Sequence, residues 1–174
     1  SDEETEINGM GPDITGTNVE LLFEQLNELK AGDILVLSGS IPSSIRSSIY
    51  KEIMERLQGR GIQIVVDAEK ALLMEVLPLH PFLNVLKFHP FLIKPNNHEL
   101  EAMLGRTLST NEDVLAGAKE LQASGARNVL VSMAGDGAVL LTEDGAVYKE
   151  GVCRGTVVNS VGAGDSMVAG FLAG

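Results

Sequence analysis

The run Asn159-Ser160-Val161-Gly162-Ala163-Gly164-Asp165-Ser166 concentrates the groups best suited to chemistry. Two glycines flanking an alanine let the backbone turn tightly and present consecutive N–H groups at a helix start. That makes an anion hole, suited to the charge on a transferring phosphoryl group. Asp165 falls in the first turn beside the hole, where the positive end of the helix dipole suits a carboxylate and a substrate hydroxyl can approach. A carboxylate suffices as proton acceptor when the transition state is loose and the proton moves late. Taken alone, Gly162, Ala163, Gly164 and Asp165 read better as an ordinary strand-to-helix turn; the neighbouring motifs shift that balance.

Lys94-Pro95-Asn96-Asn97-His98-Glu99-Leu100 is the second constellation. Asn96 with Glu99 three residues on has the form of a helix N-cap with its capping box. The same residues could serve a triphosphate, Glu99 holding Mg²⁺ through water and Lys94 reaching a phosphate, since Mg²⁺ takes oxygen ligands and keeps several waters. The two readings weigh about equally and need not exclude each other. In Ser132-Met133-Ala134-Gly135-Asp136-Gly137 small residues would let a nucleotide near the backbone, and Ser132 offers a hydroxyl. Asp136-Gly137 is equally a plain turn dipeptide, and without context that reading leads. Ser38-Gly39-Ser40 could line a substrate pocket. Cys153 has no His close in sequence and reads as a packed thiol rather than a nucleophile.

The elements that must position these residues alternate. Apolar spacing predicts helices over 19–29, 45–57, 71–77, 97–104 and 112–123, and a last one from Gly162 that buries Met167, Val168, Phe171 and Leu172. Short apolar runs predict buried strands over 34–37, 62–66 (with Asp67 at its carboxyl end), 91–93 and 128–132, and a hairpin of 138–141 with 146–149. Repeated strand–helix–strand units point to an α/β fold with a parallel sheet covered on both faces, its ligands beyond the carboxyl ends of the strands. Residues 75–83 and 84–92 form a tandem nonapeptide sharing seven of nine chemistries, including both His-Pro-Phe-Leu tails. It reads as a duplicated, core-facing connector; His80 and His89 lack the Cys or acidic partners of a metal site.

A length of 174 residues suits one domain, and a net charge of −11 argues against nucleic-acid and anionic-membrane surfaces. No apolar run approaches the ~20 residues needed to cross a bilayer. The acidic N-terminus lacks the order of a secretory signal, and one cysteine forms no internal disulfide, so a cytoplasmic protein is expected. An acidic chain must bind anionic phosphates through backbone N–H groups, a helix N-terminus and Mg²⁺.

Together Glu4 to Asn8, Leu37 to Ser40, Lys94 to Leu100 and Asn159 to Gly170 resemble the PfkB, or ribokinase-like, sugar kinase family, and within it the bacterial branch that phosphorylates fructose 1-phosphate. The resemblance covers nearly the whole chain. It implies a three-layer ribokinase-like fold with a mostly parallel central sheet, here an incomplete fragment. Residues 1–174 would be the central and C-terminal part of one kinase domain, without the N-terminal lid and substrate segment and the C-terminal helices.

The resemblance further implies ATP and Mg²⁺ as cofactors, a ketose phosphate as substrate and a homodimer at full length. It makes Asp165 the catalytic base and Gly162, Ala163 and Gly164 the anion hole. Asn96 and Glu99 serve the metal and phosphate. Lys94, Asn96, Ser132, Ala134, Gly135, Gly137 and Asn159 hold the nucleotide, and Ser38 and Gly39 lie with Asp165 on the sugar side. Asn159 stands where many members have Asp, Ala134 where Gly is usual, and the nonapeptide is an extra copy. A tagatose-6-phosphate kinase and a catalytically silent nucleotide-binding module are the alternatives. A dinucleotide-dependent dehydrogenase is disfavoured, because no G-x-G-x-x-G follows an early strand. With sheet edges and apolar faces uncovered, the isolated piece is expected to be inactive.

Overall fold

The computed structural model describes residues 12–39, 41–67, 83–153, 155–156 and 162–174. Local chemistry sets where the elements begin. Helix α1, Gly16–Leu26, starts earlier than its apolar spacing predicts, because Thr15 and Asn18 cap each other's backbone N–H groups. Strand β1, Ile34–Ser38, follows. Helix α2, Ile49–Leu57, starts four residues later than predicted. The Ile45 N–H donates to Pro42 and that of Ile49 to Arg46, so the chain turns through 43–48 before the helix can start. Strand β2 is Gln63–Asp67.

The predicted helix over 71–77 and all but the last residue of the first nonapeptide copy lie outside the described residues. An unpredicted one-turn helix α3, Leu83–Leu86, spans the junction of the two copies, and Val85 and Leu86 of the second are buried. His89 keeps its Nδ1 3.1 Å from the Gly125 carbonyl oxygen. Then come β3, Leu92–Ile93, α4, Asn97–Leu104, α5, Asn111–Ala123, β4, Asn128–Ser132, β5, Ala138–Leu141, β6, Val147–Glu150, and α6, Ala163–Ala173.

The six strands form one sheet in chain order, with β1 to β4 parallel and β5 and β6 antiparallel. Alternation along the strands divides the core. Leu37, Val66, Ile93, Val129, Val131, Val139 and Leu141 face the layer that includes α1, α2, α4 and α5. Each fully buried side chain there, such as Leu121 at 1% exposure, contributes roughly 1.5–3 kcal/mol. On the opposite face Val65, Leu92 and Leu130 pack against Val168 of α6, with Phe91 and Phe171 ring centroids 5.7 Å apart. Ile34 and Val36 of β1 stay 44% and 40% exposed, and all four residues of the edge strand β6 are exposed.

Helices α4 and α5 cross closely at Gly117. A Cβ there would stand 2.7 Å from Leu104 Cδ1 and 3.2 Å from Leu100 Cδ2. Cys153 is exposed rather than packed: it lies past the edge strand β6, whose own four residues are exposed.

Candidate active site

The carboxyl ends of the parallel strands carry a row of polar groups. Ser38 pairs in register with Asp67, and the Gly39 N–H donates to the Asp67 backbone oxygen at 3.2 Å. The Lys94 N–H donates to the Val66 oxygen, which places its side chain beside Asp67. Asn96 bridges Ser132 as a parallel neighbour, and the Ser132 N–H donates to the Pro95 oxygen at 3.1 Å. Motifs separated by up to 94 residues in sequence, from Ser38 to Ser132, thus share one edge.

The Asn96 motif forms the helix start expected of it. Asn96 Oδ1 accepts from the Glu99 N–H at 2.8 Å, and Glu99 Oε2 accepts from the Asn96 N–H at 2.8 Å, a complete capping box. The cap uses the Asn96 amide oxygen and leaves its amide hydrogens as donors for a phosphate. Glu99 is only 6% exposed. Among the described residues no three or more His, Cys, Asp or Glu cluster as metal ligands. One buried carboxylate at the strand tips therefore suits a hard divalent ion that keeps waters and phosphate oxygens, and does not suit zinc.

Lys94 and Asp67, both 8% exposed, form an ion pair with Nζ 3.0 Å from Oδ1. For such a pair desolvation largely offsets attraction, but removing one partner typically costs about 3–5 kcal/mol because the other charge is stranded. The ammonium also lies close to α6: a Cβ on Gly164 would stand 3.0 Å from Lys94 Nζ. Helix α6 starts from Gly162 at φ 80°, a residue with no side chain to cap its first N–H groups. Asp165 is exposed in that first turn. The Ser166 N–H and hydroxyl both donate to the Gly162 oxygen at 2.9 Å, which tightens the turn.

The nucleotide-loop candidates divide. Residues Ala134–Asp136 form a 3-10 turn closed by the Met133 N–H on Gly137 and the Gly137 N–H on Ala134. Gly135 has open space where a side chain would be. Gly137 has none: a Cβ would stand 1.9 Å from the Glu150 oxygen, so its lack of a side chain serves the approach of the next strand. Ala134 sits at φ 47°, a left-handed conformation that costs an ordinary residue roughly 1–2 kcal/mol and that glycine would adopt without strain. A cleft of about 390 Å³ flanks this turn, bounded by Asn97, Thr110, Glu112, Met133 and Asp136.

Asn159, Ser40 and residues 4–8 lie outside the described residues. Two groups were missed by sequence reasoning. Asp67 had a signal, a charge at the carboxyl end of a buried strand. Tyr50 had none: its hydroxyl reaches the Ser38 and Gly39 carbonyl oxygens at 3.1 and 3.4 Å. Burial, then the Asp67 charge, pushes the Tyr50 phenol above its ordinary 10.0, which keeps it a donor to those carbonyls.

Residues 1–174 match the pfkB family carbohydrate kinase. The chain belongs to that family. It is 45% identical to the 1-phosphofructokinase of Bacillus subtilis, over 99% of this chain and 54% of that one. It is 31% identical to the D-tagatose-1-phosphate kinase of Bacillus licheniformis, over 99% and 54%. Phosphofructokinase-2 from Escherichia coli, solved in complex with substrates and products, superposes with a TM-score of 0.86 at 28% identity, covering 98% of this chain and 53% of that one. The pfkB chain thus spans about half the length of the curated relatives it matches. Its helix–sheet–helix layering is the ribokinase-like fold that the sequence motifs imply.

Proposed function

We propose that the full-length protein carrying this chain transfers the γ-phosphoryl group of ATP to a ketose monophosphate, with fructose 1-phosphate giving the 1,6-bisphosphate. This chain supplies the central and C-terminal part of one kinase domain; the lid, the rest of the sugar site and the adenine-covering helices come from sequence outside it. The full-length protein is expected to act in the cytoplasm as a homodimer.

One observation supports the reading above the others. Lys94 brings the first turn of α6, and with it Asp165, to the strand edge that carries Asn96, Glu99 and Ser132. In the proposed roles the Gly162 to Gly164 amides receive the charge of the moving phosphoryl group, and Asp165 accepts the sugar hydroxyl proton. Asn96 and Ser132 donate to phosphate oxygens, Ala134 and Gly135 leave room for the nucleotide, and Ser38 and Gly39 border the sugar. Glu99 would hold Mg²⁺, whose charge, when bound, offsets that of the phosphates.

The test is Asp165→Asn in the full-length protein. Turnover falls by about 100-fold or more while the thermal shift with Mg²⁺-ATP persists. A variant keeping more than a few tenths of wild-type turnover removes Asp165 from its role. The likeness to a D-tagatose-1-phosphate kinase supports a second reading, a kinase for that epimeric ketose 1-phosphate. Product analysis with fructose 1-phosphate, tagatose 1-phosphate and tagatose 6-phosphate separates the substrates. ATP binding without any phosphorylated product would instead describe a silent module.

A further inference from the structure

The buried ion pair at the strand tips explains a glycine that backbone geometry does not. Gly162 needs its φ of 80°, but Gly164 lies inside α6 with no left-handed angle, where alanine is the better helix former. What occupies its Cβ space is Lys94, with Nζ at 3.0 Å and Cε at 3.4 Å. A lysine on a flexible stem would ordinarily swing aside. This one is held 3.0 Å from Asp67 Oδ1, and only 9% of its side chain meets solvent. Asp67 is fixed in turn, since its backbone is paired in β2 and accepts from Gly39.

We propose that Asp67 is a positioning residue for the anion hole: it pins the Lys94 ammonium against Gly164 and so sets the seat of α6's first turn on the strand tips. Lys94 then acts from beneath the turn, placing positive charge behind the amides, rather than as a swinging arm that grips ATP. The catalytic consequence rests on the kinase reading; the geometric claim does not.

Thermal melting of the full-length protein tests the geometry by introducing Gly164→Ala into three backgrounds. These are the wild type, Asp67→Asn, and Asp67→Asn with Lys94→Met, in which both buried charges leave together. In the wild type the new methyl meets a pinned ammonium and lowers Tm by about 2–4 °C. In the other two the obstacle can move or is gone, and the same change leaves Tm level or raises it. An equal fall in all three overturns the proposal, and if Asp67→Asn alone does not fold, the paired variant decides.

Kinetics provide the second arm. Asp67→Asn lowers kcat about tenfold or more with the ATP KM nearly unchanged, because the seat of the turn matters to the transition state. A raised KM at unchanged kcat would make the pair a ground-state binding device and overturn the positioning role. A wild-type protein with no kinase activity would remove the functional reading alone, leaving the melting comparison to judge the pair.

Discussion

Helices α4 and α5 begin with the same device in different surroundings. At α4 Asn96 and Glu99 exchange backbone hydrogen bonds, and at α5 Thr110 and Asp113 do likewise. Glu99 is buried directly after β3, beside the strand tips that carry Lys94 and Ser132. Asp113 is half-buried as a residue, and its carboxyl is held below the ordinary 3.8 by the Thr110 hydroxyl and then the Thr110 N–H. A capping box is a local device that says where a helix starts. Placement after a parallel strand is what gives one of the two the position that its proposed part in chemistry requires.

The sharpest way to break this contrast is Glu99→Gln. Glutamine can still accept from the Asn96 N–H, so the helix start survives, but the charge proposed to hold the metal is lost. Turnover of the full-length protein is expected to fall about 100-fold with Tm little changed. Asp113→Asn, assayed in parallel, should leave turnover as it was; equal losses in both would dissolve the distinction.

Thr110→Ala comes next in size. It removes the side-chain acceptor at α5 and should cost about 1 kcal/mol in chemical denaturation, with kcat unaltered. The smallest effect is in acid. Because the folded state lowers the Asp113 pKa, its contribution is full above about 3.8 and is lost as pH falls through the lower folded value. Denaturation midpoints of wild type and Asp113→Asn should therefore converge below that pH, and parallel curves would deny the carboxylate its part in the cap.

Much of this was readable beforehand because it is local. The apolar runs of β1, β2 and β4, the Asn96 and Glu99 spacing and the glycines before α6 each announce themselves within a few residues. The ion pair of Asp67 and the hydrogen bonds of Tyr50 did not, since their partners Lys94 and Ser38 are brought to them by strand register and by the packing of α2. The start of α2 was misplaced for a related reason: Ile45 stands at helical spacing from Ile49, while backbone bonding between them closes turns instead. Strand β3, two residues long, is too short for periodicity to define and is fixed by its neighbours β2 and β4.

The bare backbone at Gly117 gives α4 a rear support as well as a front one. Any larger residue there would wedge Leu100 and Leu104 outward and carry the neighbouring glutamate with them. The seat of Glu99 is then governed partly by a position behind it, and on the proposed metal role damage at the back of the molecule would show itself first as weakened Mg²⁺ dependence rather than as an unfolded chain.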